Sequence, residues 1–576
     1  MTRTEQKKDK NMQLDLVKTL RGALALNIAC MATAVVAQST VPQVGDVLRE
    51  VPAKPQVERP KAPLPQVGAE LAPPMQSLPD GGARVQVSSF RIEGSREVGA
   101  AELEALANRQ AGKAMTLAEL EAVATELTRY YRTRGYFVAR VYIPAQEVMN
   151  DVIVLRAVEG NYGRFILENR SLVRDSIVQA MLDDVKKYDI VSLDTLERAM
   201  LIINDTPGVQ VVRADVMPGE AVGTSDFAVG TVAIPEHQGY MLLDNYGSKA
   251  TGRERLSVNW DWNSPTGSGD RLSITGLSSL NGDLLNGRAG YSTVLSASGL
   301  RGEAALSRTN YTLGSRFAAL DAEGVATGFD LGVSYPIRRI RAQTIAFSAG
   351  YAMRNLKDEV KAFDTETRKR SQVLSAGFSL RDEAYLWGLD GLTEADIRLG
   401  HGDLNIRDAL SLEFDQSPLG PDTDGRFTKV NLSLSRLSLL PDSFRLRTSL
   451  RYQSSFGGKN LDGSERLGIS GVGSVSAYPY SEASGTDASL LSVELSRPFA
   501  GNEQLQHEWS LFAQAGQARA VKSESYQKLS GFGVGWSGRY GQGLLLRAQV
   551  ARQLSGESVS EPGDKTRIWL QAGYIF

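Results

Sequence analysis

The stretch TRIWLQAGYIF, residues 566–576, decides how this chain is read. Ile568, Leu570, Ala572, Tyr574 and Phe576 share one parity, and Arg567, Gln571 and Gly573 the other. Successive side chains of a strand point to opposite faces, so one face is apolar and the other mainly polar. A soluble domain gains little by finishing on such a strand. A sheet closed on itself in a membrane gains its last wall. The expectation is a closing strand that pairs with GYMLLDNYG (239–247), with Tyr574 in the interfacial aromatic girdle and Tyr574 and Phe576 forming a C-terminal insertion signal.

The same alternation recurs upstream. In RLSVNWDWN (255–263), Leu256, Val258, Trp260 and Trp262 alternate with Ser257, Asn259 and Asp261. FDLGVSY (329–335) and SFRLRTSLRYQ (443–453) repeat it, the latter with Arg445, Arg447 and Arg451 on its polar face. A soluble β-sandwich also alternates. Arginines on the polar face suit a water-filled lumen, and short Gly/Asn/Asp turns separate the segments from about residue 238 to the end. At roughly 21 residues per strand and connection, residues 235–576 hold about 16 antiparallel strands, an even number as bacterial barrels require. The charged stretches KDEVKAFDTETRKR (357–370) and DQSPLGPDTDG (415–425) read as outer loops.

Helical periodicity appears only before this region. TLAELEAVATELTRYYRTRGY (116–136) places Leu117, Leu120, Ala124, Leu127 and Tyr131 at three- and four-residue steps, and Thr116 with Glu119 gives a capping box. With its flanking strands it forms a β-α-α-β-β order over 85–160, and the same order returns over 161–234. A tandem repeat of this kind suits docking, and neither copy carries a nucleophile–base pair or a glycine-rich phosphate loop. Residues 38–84 hold a short amphipathic piece, QVGDVLREV (43–51), and a proline-rich linker.

The first 37 residues read as a signal peptide. Lys7, Lys8, Lys10, Lys18 and Arg21 precede the apolar GALALNIACMATAVVA, with cleavage after Ala37, before Gln38. A membrane anchor is the other reading, but the apolar stretch falls short of the ~20 residues a spanning helix needs. LNIAC matches a lipobox poorly, so Cys30 does not point to a lipoprotein. Cleavage removes Cys30, the one cysteine, which suits an oxidising compartment. The net charge of −2 argues for no nucleic-acid partner, and with one cysteine and three histidines no metal or cofactor site is expected.

These features together resemble the haemolysin secretion/activation family, two-partner secretion (type Vb) transporters of the bacterial outer membrane. The two α/β units resemble its periplasmic polypeptide-transport-associated (POTRA) domains. LLDNYGSKATGRERLSVNWDWNSPTGSGDRLSI (242–274) resembles the start of its barrel. The segment 43–51 is similar to its N-terminal helix, which can plug the pore. The family also carries a lid loop, placed here at 466–487. Its tip, usually Val-Arg-Gly/Ala-Tyr, reads Val475, Ser476, Ala477, Tyr478. The family's Phe-x-Asp-x-Gly wall motif reads Phe512, Gln514, Gly516. Both charged members of the family's ion pair are replaced together, so Ser476 and Gln514 are expected to meet through a neutral hydrogen bond. That avoids the several kcal/mol that one unpaired buried charge costs.

The resemblance implies a monomeric, porin-like translocation pore that recognises a haemolysin- or adhesin-like exoprotein in the periplasm and exports it to the surface. Outer-membrane lipid and the barrel-assembly machinery are its other implied partners. An insertase that assembles other barrels is the alternative. An enzyme would need a triad built on His237, His401 or His507, and none lies in a nucleophile motif.

Overall fold

The computed structural model describes residues 41–51, 64–65, 83–500, 505–541, 543–556 and 558–576. The expected signal peptide, its cleavage point at Ala37 and Gln38, and most of the proline-rich linker lie outside the described residues.

Sixteen antiparallel strands close into a barrel, from His237–Asp244 to Thr566–Ile575. The alternation sets which face is which. Ile568, Leu570 and Tyr574 stand 59, 51 and 56 % exposed on the outer wall, while Arg567, Trp569 and Gln571 are buried on the inner one. The closing register has five pairs, from Gln571 opposite Asp244 to Ile575 opposite Tyr240. Gln343–Val360 and Thr365–Asp382, by contrast, pair along 18 residues. Asn245 lengthens the seam with its side chain. Its Oδ1 accepts the Leu570 N–H at 2.8 Å and its Nδ2 donates to the Ile568 carbonyl at 3.1 Å. At the other end Gly239 and Phe576 exchange main-chain bonds at 2.9 and 3.0 Å. A Cβ on Gly239 would lie 2.2 Å from the Asn259 carbonyl oxygen, so only glycine fits there.

KDEVKAFDTETRKR is not a loop. Val360 pairs with Thr365, and only 361–364 turn. The strands run on past the apolar band, where an alternation addressed to lipid has no reason to continue. DQSPLGPDTDG begins in the last turn of a helix, Ala409–Gln416, and is irregular from there up to the strand Gly425–Leu439.

Two α/β units precede the barrel. In the first, Ser89–Glu93 pairs in parallel with Val152–Val158, which pairs antiparallel with Arg140–Tyr142. Helix Leu117–Thr133 starts at the expected capping box, with Thr116 N–H donating to Glu119 Oε2 at 2.7 Å and Glu119 N–H to Thr116 Oγ1 at 3.3 Å. Its Leu120, Leu127 and Tyr131 enter the core. The Tyr131 hydroxyl donates to buried Glu159 at 2.9 Å. Burial, and then that carboxylate, push the phenol's pKa well above its ordinary value, so it remains a donor. The second unit repeats the order with Asn161–Arg170, helices Asp175–Asp183 and Leu193–Asn204, and strands Gln210–Pro218 and Thr224–Val232.

The second unit is clamped to one rim of the barrel. Arg339 forks onto Asp205 at 2.7 and 3.1 Å, Arg341 meets Glu197 at 2.8 Å, and Arg174 N–H donates to the Gly267 carbonyl at 3.0 Å. The bidentate fork adds geometric specificity to a charge pair.

Candidate functional site

The lumen is the site, and two segments of the chain fill it. The first is the loop between strands Arg445–Phe456 and Asp487–Ala500, which turns inward and forms its own two-residue ladder, Leu467–Gly468 with Ser484–Gly485. Its tip residues Val475, Ser476, Ala477 and Tyr478 are 0, 0, 1 and 0 % exposed. Phe512, Gln514 and Gly516 share the inward parity of one strand and face it.

The structure brings Ser476 and Gln514 together, through the main chain. Ser476 N–H donates to Gln514 Oε1 at 2.8 Å. The Ser476 hydroxyl instead turns back to the Ser474 carbonyl at 3.4 Å. Any residue at 476 offers that N–H, so it is the acceptor at 514 that carries the contact. Gly516 leaves room for Ile469, whose Cβ would lie 3.3 Å from a Cβ placed there. Tyr478 donates its hydroxyl to the Ser555 carbonyl.

Four wall partners of the lid escaped sequence reasoning. Trp569 Nε1 donates to the Ser476 carbonyl at 2.7 Å, and Gln553 Nε2 to the Ala477 carbonyl at 3.2 Å. Trp569 sits on the polar parity of the closing strand, and a large donor misplaced in that pattern was the available signal. At the lid's base Lys369 meets Asp462 and Lys429 meets Glu465, each at 2.7 Å. Asp462 also caps the turn that follows, accepting the Ser464 N–H at 3.0 Å.

The second segment is the helix Val44–Val47 with its following turn Leu48–Glu50. Val44 and Val47 cluster with Leu284, Tyr311 and Leu356 of the inner wall and with Phe317 of the turn Ser315–Leu320. Val44 N–H donates to Asp358 Oδ1 at 2.7 Å, and Lys369 Nζ to Gln43 Oε1 at 2.9 Å. At the helix end Thr251 donates to Glu50 Oε2 at 2.8 Å. Arg255 holds the Glu50 carbonyl at 2.9 Å and Asp244 at 3.0 Å. Arg49 reaches the Gly463 carbonyl on the lid. A Cβ on Gly45 would fall 2.4 Å from the Ser464 backbone nitrogen, so glycine lets helix and lid touch.

This arrangement can block or pass a chain. Among the described residues no group of three or more His, Cys, Asp or Glu is placed to hold a metal ion.

A family model for haemolysin secretion/activation proteins ShlB/FhaC/HecB matches residues 223–538, and one for ShlB-type POTRA domains matches 85–160. The chain belongs to the haemolysin secretion/activation family. It is similar to the heme/hemopexin transporter protein HuxB of Haemophilus influenzae (strain 86-028NP), 26 % identical over 485 residues, covering 83 % of this chain and 84 % of that one. Over 192 residues it is 26 % identical to the outer membrane transporter CdiB of Escherichia coli, covering 33 % of this chain and 32 % of the other. The fold matches solved CdiB structures. The Escherichia coli one has 21 % identity and a TM-score of 0.71 over 90 % of this chain and 94 % of that one. The Acinetobacter baumannii one has 15 % identity and a TM-score of 0.62 over 97 and 98 %. This member of the haemolysin secretion/activation family is a two-partner secretion transporter of the outer membrane, with its POTRA domains in the periplasm.

Proposed function

We propose that the POTRA domains, bounded at 85–160 and 161–234, capture a secreted partner exoprotein, and that the barrel passes it outward in extended form once residues 43–51 leave the lumen. The observation that carries this reading is the lumen helix, a short segment of the same chain that packs Val44 and Val47 on the wall and is held there by separate hydrogen bonds at its two ends. Capture fits the strands Asn161–Arg170 and Gln210–Pro218, which form the edges of the second POTRA sheet, where an extended chain can add a strand. The lid tip, Val475 to Tyr478, and its wall contact at Phe512, Gln514 and Gly516 form the gate beside the path. The transporter acts as a monomer in lipid, without a cofactor or a catalytic step, and folding of the exoprotein outside gives direction. Tyr574 and Phe576 are read by the barrel-assembly machinery during insertion.

Two deletions test this. Removing 43–51 should raise single-channel conductance in planar bilayers. Removing 85–160 should stop the partner from reaching the medium while the barrel still shows heat-modifiable mobility. Unchanged conductance in the first would overturn the plug. Loss of other outer-membrane barrels in the second, with the partner still secreted, would favour the insertase.

A further inference from the structure

On the outer wall, apolar side chains face lipid. Leu306, Leu331, Leu374 and Phe378 stand 63, 51, 63 and 51 % exposed. Farther from the POTRA rim, on the same strands, the outward parity turns basic. The register places Arg308 opposite Thr327, Thr327 opposite Asn355, Asn355 opposite Arg370 and Arg370 opposite Asn405, one row across five strands. The next row outward sets Lys357 opposite Arg368, whose carbonyl accepts the Arg407 N–H at 2.8 Å. Thr309, Leu356, Ser371 and Leu404 are buried on the inner face, so their neighbours Arg308, Lys357, Arg370 and Asn405 point out. The five cations line a shallow cleft of about 510 Å³.

Two of the five have counter-charges. Lys357 lies 3.0 and 2.9 Å from Glu359 and Glu366, and Arg368 also pairs with Glu366. Arg308 and Arg370 donate to amides, Asn310 Oδ1 at 3.2 Å and Asn355 Oδ1 at 3.0 Å. Among the described residues no carboxylate lies within ion-pair distance of Arg308, Arg370 or Arg407. Asp403, one row nearer the apolar band, sits opposite Arg426 instead.

Three guanidiniums without carboxylates, at the outer edge of an apolar band, suit an anion that arrives with acyl chains attached. The guanidinium fork matches phosphate geometry. The POTRA domains mark the opposite rim as periplasmic, so the patch lies on the outward side of the apolar band. We propose that Arg308, Arg370 and Arg407 bind the phosphates of the outer leaflet's phosphorylated glycolipid, while Leu306 and Leu374 below them meet its acyl chains. The patch seats the barrel in its lipid and is separate from the path of the exported chain.

The test uses the full chain purified in uncharged detergent. It is titrated with a bisphosphorylated lipid A, with the same lipid dephosphorylated, and with inorganic phosphate. Native mass spectrometry reads retention, and the temperature of the heat-modifiable mobility shift reads stabilisation. The phosphorylated lipid should be retained and raise that temperature, and the other two should not. The triple variant R308S/R370S/R407S should bind the phosphorylated lipid about tenfold more weakly or worse, and R308K/R370K/R407K should keep most of the affinity. Equal retention of both lipids, an unchanged serine variant, or the same shift with inorganic phosphate alone would overturn the proposal. Should the serine variant fail to assemble, the comparison of the two lipids on the unaltered chain decides.

Discussion

The lid is fastened at its tip and at its base by different chemistry. At the base, Lys369–Asp462 and Lys429–Glu465 are ion pairs whose side chains are at most 14 % exposed. At the tip, Ser476 is held by neutral bonds to Gln514 and Trp569 and by close packing. A desolvated ion pair is costly to split, because the partner left behind is a buried charge. A neutral contact loses one hydrogen bond when it opens. At Ser476 itself the hold is therefore the cheaper one to open, while Arg451 on Ser474 and Glu482 on Ser558, Val559 and Ser560 add charge-assisted bonds on either side of the tip. Lys369 also holds Gln43, which ties the lumen helix to the base of the lid.

The largest effect is expected from Lys369→Met, which strands Asp462 and drops Gln43. It should cost about 3–5 kcal/mol, read as a lower urea midpoint and a lower temperature for the mobility shift. An unchanged midpoint would move the hold away from the base. Gln514→Ala should cost less, about 1–3 kcal/mol, because it leaves the buried Ser476 N–H without its acceptor. Ser476→Ala should cost least, at most about 0.5 kcal/mol, since the N–H remains and the hydroxyl's contact is long and local. Equal losses in the last two variants would show that the hydroxyl, not the main chain, makes the contact.

Much of this architecture was readable in advance. Alternation in RLSVNWDWN and TRIWLQAGYIF set the wall and its closing strand, because lipid on one side and lumen on the other leave a period of two. The capping box at Thr116 and the repeated β-α-α-β-β order marked the POTRA domains. The lid's frame was legible, but its fastening was not. Lys369 and Asp462 are 93 residues apart, and a lysine on the inward parity looks the same whether it faces water or a carboxylate. The Ser476 contact runs through a backbone N–H, which no side chain announces. The segment 357–370 was misread because Lys357, Glu359, Glu366 and Arg368 serve a strand already clear of the apolar band.

One detail of the seam has a mechanical consequence. A ring yields first at its weakest link, and the pairing between His237–Asp244 and Thr566–Ile575 runs for five residues where the other joints run for eight to 18. At one end of those five Gly239 and Phe576 add main-chain bonds; at the other the Asn245 N–H reaches the Leu570 carbonyl at 3.2 Å and its side-chain amide carries the join on, a group that can release and re-bond by rotating about its own χ angles. A thick segment of polypeptide forced through the bore would strain the circumference, and the strain would gather there. Under such strain the asparagine would serve as an elastic stitch, its amide bonds giving way before the main-chain pairs beside it.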